Sequence, residues 1–95
     1  MQYLLLIQRN VPTPPTAGEW DHFLAAARDS GLFRGGSEIS AREMLGNTQS
    51  SVSSAHLTGY MRFDADDRQQ LLELLQLHPV ILHGGSAELC ELPRS

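Results

Sequence analysis

Lysine is absent from this chain: all seven basic residues are arginines, at positions 9, 28, 34, 42, 62, 68 and 94, and they are scattered rather than grouped. Eleven acidic residues outnumber them and leave a net charge of −4. Nucleic-acid binding needs a basic patch or stripe, so that class of partner is not expected. Cysteine is reduced to one, Cys90, which excludes an internal disulfide and suits a reducing compartment. No apolar run reaches the roughly 18 residues of a membrane helix, and Met1-Gln2-Tyr3 lacks the basic start of a signal peptide. The expectation is a cytoplasmic protein with no membrane partner. The glycine pairs at 35–36 and 84–85 match no phosphate-loop spacing. His78 and His83 are separated by Pro79 and a turn, and no cysteine cluster or carboxylate completes a ligand set. Neither a metal nor a cofactor is expected.

Ninety-five residues without a linker-like interruption predict one domain over 1–95, since two cores would each be too small. With 41% hydrophobic and 19% charged residues, the chain can bury a core and is not a disordered segment. The stretch from Leu57 to Leu92 organises the rest. It reads as strand, acidic helix start, leucine-rich helix, His-Pro stop, Gly-Gly turn and strand, a crossover unit that sets two strands parallel in one sheet.

Before it, Tyr3 to Gln8 is apolar on both faces and suits a central strand. Prolines 12, 14 and 15 make the next segment an extended loop. Thr16-Ala17-Gly18-Glu19 has the spacing of a capping box, and Trp20, Phe23, Leu24 and Ala27 follow as one apolar stripe, with Asp21 off it. Gly31 is the predicted terminator. Leu32 to Ile39 reads as a strand interrupted by Gly35-Gly36, the mark of a bulge or a close approach. Serine-rich 40–55 reads as an excursion or hairpin off the sheet.

In His56 to Phe63, Leu57, Gly59, Met61 and Phe63 share one face, toward the helices, while His56, Thr58, Tyr60 and Arg62 share the other. Asp64 is the expected cap of the next helix, with Asp66 and Asp67 in its first turn. Leu71, Leu72, Leu74, Leu75 and Leu77 form its broad apolar surface, Pro79 stops it, and His78 is expected as a cation at its C-terminus. In the last strand, Ala87, Leu89 and Glu91 oppose Ser86, Glu88, Cys90 and Leu92.

The order β-α-β-β-α-β predicts an α+β, ferredoxin-like sandwich: a four-stranded antiparallel sheet with two helices on one face. Met-x-Tyr-Leu-Leu-Leu-Ile at the start, Gly31-Leu32-Phe33-Arg34-Gly35-Gly36, Gly59-Tyr60-Met61-Arg62-Phe63, His78-Pro79, Gly84-Gly85-Ser86 and Glu88-Leu89-Cys90-Glu91-Leu92 resemble the YCII-related and DGPF proteins. The resemblance implies the dimeric alpha-beta barrel type of assembly, and hence a homodimer. Some members of that family are linked to dechlorination of chlorinated hydroquinones, and others sit beside sigma factors. It also implies a histidine on the first helix paired with an aspartate after the second strand. His22 matches the histidine; only Glu38 stands near the second position, and the DGPF tetrapeptide is missing from 46–54.

Two functions stay open. In one, the chain is a binding dimer whose Arg34, Tyr60 and Arg62 hold a small anionic ligand, since guanidinium forks suit carboxylate or phosphate. In the other it is a small acid–base enzyme, lyase or dehydrochlorinase-like, with His22 as proton shuttle, because imidazole titrates where such work is done. The competing reading of His22 is a packed histidine satisfied by backbone or water, and of Cys90 a small buried hydrophobe. A homodimer is expected on physical grounds too. The first strand offers apolar side chains to both sheet faces, and two helices cover only one.

Overall fold

The computed structural model describes residues 1–93. Four strands and three helices follow the order β1 (Gln2–Gln8), α1 (Ala17–Asp29), β2 (Phe33–Glu38), β3 (Leu57–Asp64), α2 (Arg68–Leu75), α3 (Pro79–Leu82) and β4 (Ala87–Leu92). They build one antiparallel sheet in the order β2-β3-β1-β4. β3 and β4 both run antiparallel to β1, so the crossover places them parallel on either side of it. The ferredoxin-like arrangement expected from the sequence is the arrangement observed.

Alternation along the strands decides which face is covered. Tyr3, Leu5 and Ile7 of β1 and Leu57, Met61 and Phe63 of β3 are buried; all but Leu57 pack in one cluster with Phe23 and Ala27 of α1, Leu71, Leu74 and Leu75 of α2, and Val80 of α3. Burying fourteen such apolar residues on one side is what holds helix layer to sheet. The intervening residues Leu4, Leu6, Thr58, Tyr60, Cys90 and Leu92 lie on the other, helix-free face and are only half-buried.

The local signals of α1 are realised. Thr16 accepts the Glu19 N–H and Glu19 reaches back to the Thr16 N–H, closing the capping box. Gly31 follows the helix at φ +74°, where a side chain would be strained. The glycines of β2 mark a bulge, with the β2–β3 register shifting between Phe33 and Gly36.

Five expectations near α2 and in the excursion are corrected. Asp64 is not the helix cap: it still pairs with Gln2 as the last residue of β3, and Asp67 caps α2 by accepting the Gln69 N–H at 3.0 Å. Pro79 does not stop α2, which has already closed at Gln76; instead it opens α3 at the first helical position, where its missing N–H costs nothing. Leu77 is therefore outside the helix and exposed, and Leu72 is half-buried rather than core. His78 is no cation at a helix C-terminus. It is fully buried and caps the N-terminus of α3.

Residues 40–55 form no hairpin; one short helical turn, Thr48–Ser50, interrupts an exposed arm. Arg42 holds the base of that arm by donating to the Ile39 and Leu57 carbonyls. The arm explains a radius of gyration of 14.4 Å where a compact chain of this length gives about 12 Å.

Candidate functional site

A cleft of about 730 Å³ opens between the N-terminal half of α1 and the sheet. Its helix side is Ala17, Trp20, Asp21 and Leu24, spaced i, i+3, i+4 and i+7, so one stripe of α1 forms a wall. Its sheet side comes from Ile7, Phe33 and Met61 together with the bare backbone of Gly36 and Gly59. Both glycines are imposed by the bulged β2–β3 pairing. A Cβ at Gly36 would run into the Tyr60 carbonyl oxygen, and one at Gly59 would stand 2.8 Å from the Ser37 oxygen. Val11 and Val80 add apolar surface, and Arg9, Asp21, Ser37, Glu38 and Thr58 place polar groups along the lining. An apolar concavity with a few polar groups is the form small-molecule sites take.

Behind Trp20 lies His78. The two rings meet edge to face with centroids 5.0 Å apart, and Phe23 approaches the same imidazole at 4.8 Å. His78 Nδ1 accepts the Val80 N–H at 3.2 Å, while Nε2 is buried with no hydrogen-bond partner among the described residues. Burial disfavours the charged form and lowers the His78 pKa to about 4, so it is neutral at pH 7. At the start of α1, Glu19 meets His83 Nε2 at 2.5 Å. That hydrogen bond first, and the Thr16 backbone second, hold the Glu19 carboxyl below its ordinary range.

The residues singled out in the sequence are not brought together. His22 is exposed on α1 and borders neither this cleft nor the smaller one, its neighbour Asp21 occupying the stripe that does. Arg34 donates to the Gly31 and Phe33 carbonyls and borders a separate depression of about 320 Å³ with Asp64, Asp66 and Gln70. Tyr60 borders the main cleft from a strand position whose side chain belongs to the helix-free face, and Arg62, exposed, pairs across the sheet with Leu4 of that same face. Asp21 and Trp20 give no site signal in the sequence because the 20/23/24/27 stripe reads as core. The overlapping 17/20/21/24 stripe was the available signal, with Trp20 and Leu24 in both. Among the described residues no three His, Cys, Asp or Glu side chains lie close enough to share a metal, and no helix is long and apolar enough to cross a membrane.

No family model matches the chain, and no curated protein matches it in sequence. A solved structure does match in fold: the 5-chloro-2-hydroxyhydroquinone dehydrochlorinase TftG of Burkholderia phenoliruptrix AC1100, in complex with 2,5-dihydroxybenzoquinone. The superposition has a TM-score of 0.58 over 100% of this chain and 96% of that one, at 9% sequence identity. At that identity the likeness is one of fold.

Proposed function

We propose that this chain is a YCII-related protein that binds a small planar, oxygenated ring compound in the cleft between α1 and the sheet. The observation that carries the reading is the cleft itself, where Trp20 and Leu24 face strands stripped of side chains at Gly36 and Gly59. A flat ring fits between an indole and a bare sheet surface, and aromatic stacking contributes beyond area burial. Arg9 on the lining suits an anionic oxygen, its guanidinium being held at Nε by the Ala55 carbonyl. The fold-mate's quinone is a ligand of this class. Isothermal titration of the protein with 2,5-dihydroxybenzoquinone is expected to give saturable binding that Leu24→Arg removes. Absence of binding, or equal binding by the variant, refutes the reading.

An enzymatic version, with His22 as the proton shuttle, has the fold likeness to a dehydrochlorinase in its favour and the exposure of His22 outside the cleft against it. In that version His22→Ala abolishes turnover of a chlorinated hydroxyhydroquinone without altering the fold. Undiminished turnover in the variant excludes the role.

We infer further that the protein is a homodimer through the helix-free sheet face. Cross-strand rows there set Leu6 between Tyr60 and Glu88, and Leu4 between Arg62 and Cys90. Apolar and aromatic residues at the centre with charges beside them are the composition of an interface. A second copy related by a two-fold axis covers such a face with the same face.

A further inference from the structure

The cleft has a buried imidazole standing behind its wall. His78 is wholly removed from solvent and accepts the Val80 N–H at Nδ1. A neutral imidazole that accepts at Nδ1 carries its proton on Nε2. Among the described residues that Nε2–H has no oxygen or nitrogen partner. What surrounds the ring instead is aromatic, Trp20 at an interplanar angle of 84° and Phe23 at 60°. Edge-to-face arrangements set the rim of one ring against the π face of another, and an N–H without a conventional acceptor is satisfied in that way. Burial accounts for the weakened basicity of His78. Glu19, the carboxylate next to Trp20 in α1, is engaged by Thr16 and His83. Trp20 is the shared element, touching His78 and lining the cleft.

We propose that His78 is a positioning residue: as a neutral Nε2–H imidazole it holds the Trp20 indole in the orientation that walls the cleft, and it sets the cleft's affinity for a planar ligand without touching it. The inference rests on the cleft being a ligand site, but its geometry is testable without a ligand. A role in filling space alone would be indifferent to which nitrogen carries the proton.

Nitrogen-15 NMR of the wild-type imidazole is expected to show His78 protonated at Nε2 at neutral pH; a proton on Nδ1 overturns the proposal. His78→Asn keeps an acceptor for the Val80 N–H and removes the ring, whereas His78→Phe keeps a ring and removes both nitrogens. Trp20 is the single tryptophan, so its indole resonances report directly on the wall. His78→Asn is expected to shift those resonances in the free protein and to weaken 2,5-dihydroxybenzoquinone binding about tenfold, the scale of a lost aromatic pair. His78→Phe is expected to weaken it about threefold, the scale of a lost N–H to π contact. Ser30→Ala, which loosens the far end of the same helix by removing a hydroxyl that donates to the Ala27 carbonyl and accepts the Leu32 N–H, is expected to leave both readouts unchanged. Unaltered Trp20 resonances in His78→Asn, or equal shifts in Ser30→Ala, overturn the proposal. If wild type binds no quinone, the ligand reading fails by itself, and the free-protein resonances still decide whether His78 holds Trp20.

Discussion

The Glu19 carboxylate faces two ways: Oε1 accepts the Thr16 N–H at 3.1 Å, and Oε2 meets His83 Nε2 at 2.5 Å. One side chain thus closes the capping box of α1 and ties that helix start to the end of α3, next to the turn into β4. Its depressed carboxyl pKa means that its stabilising contribution is complete above the ordinary carboxylate value of 4.5 and is lost as pH falls through the lower folded value. The melting-temperature gap between wild type and Glu19→Gln should therefore be present at pH 7 and close as the pH falls below the lowered folded value. A gap that stays constant would show that the ionised carboxylate contributes nothing.

His78 gives a second pH dependence in a different window. Its folded pKa of about 4 lies below the ordinary 6.5, so between those values the unfolded chain binds a proton that the folded chain refuses. Stability is full above pH 6.5 and falls by roughly 3 kcal/mol as the pH is lowered toward 4. Urea unfolding at a series of pH values should show this slope in wild type and a flatter one in His78→Phe. The same slope in both proteins would assign it to another group.

Leucines of the second helix should divide by position rather than by type. Leu71→Ala and Leu75→Ala remove fully packed side chains and are expected to cost about 2–5 kcal/mol. Leu72→Ala, at a half-buried site, is expected to cost less than half as much, and Leu77→Ala, outside the helix, under about 0.5 kcal/mol. Denaturant midpoints at matched slopes measure the series. Equal losses at Leu71 and Leu77 would place the helix against the sheet in a different rotation.

Self-association through the helix-free face predicts a species of twice the chain mass of 10.5 kDa by light scattering at micromolar concentration. Leu6→Asp and Tyr60→Asp, neighbours in one cross-strand row, should each shift it toward monomer. A wild-type protein that remains monomeric at high concentration would mean that this face is covered in another way, or left in water.

Short-range patterns told most of the fold, because their causes are local. The capping box at Thr16, the period-two burial of Leu57, Gly59, Met61 and Phe63, and the bulge at Gly35-Gly36 each depend on residues a few positions apart. The misplaced features were those where two local signals compete. Asp64, Asp66 and Asp67 are all acceptable caps, and only the extension of β3 to pair Asp64 with Gln2 selects Asp67. Pro79 both ends and begins helices, and the closure of α2 at Gln76 decides that here it begins one.

The amino-acid order by itself determined the succession of the four strands with α1 and α2 and the covered face of the sheet, since hydrophobic periodicity and turn chemistry act along the chain. Which side chains share a site was decided only by the tertiary structure. Trp20 belongs to a core stripe and a cleft stripe at once, and the packing angle of α1 on the sheet exposes the second. His78 looks like a solvated terminal cation until Phe23, Trp20 and Val80, the first two more than fifty residues away in sequence, close around it and remove the water that would keep it charged.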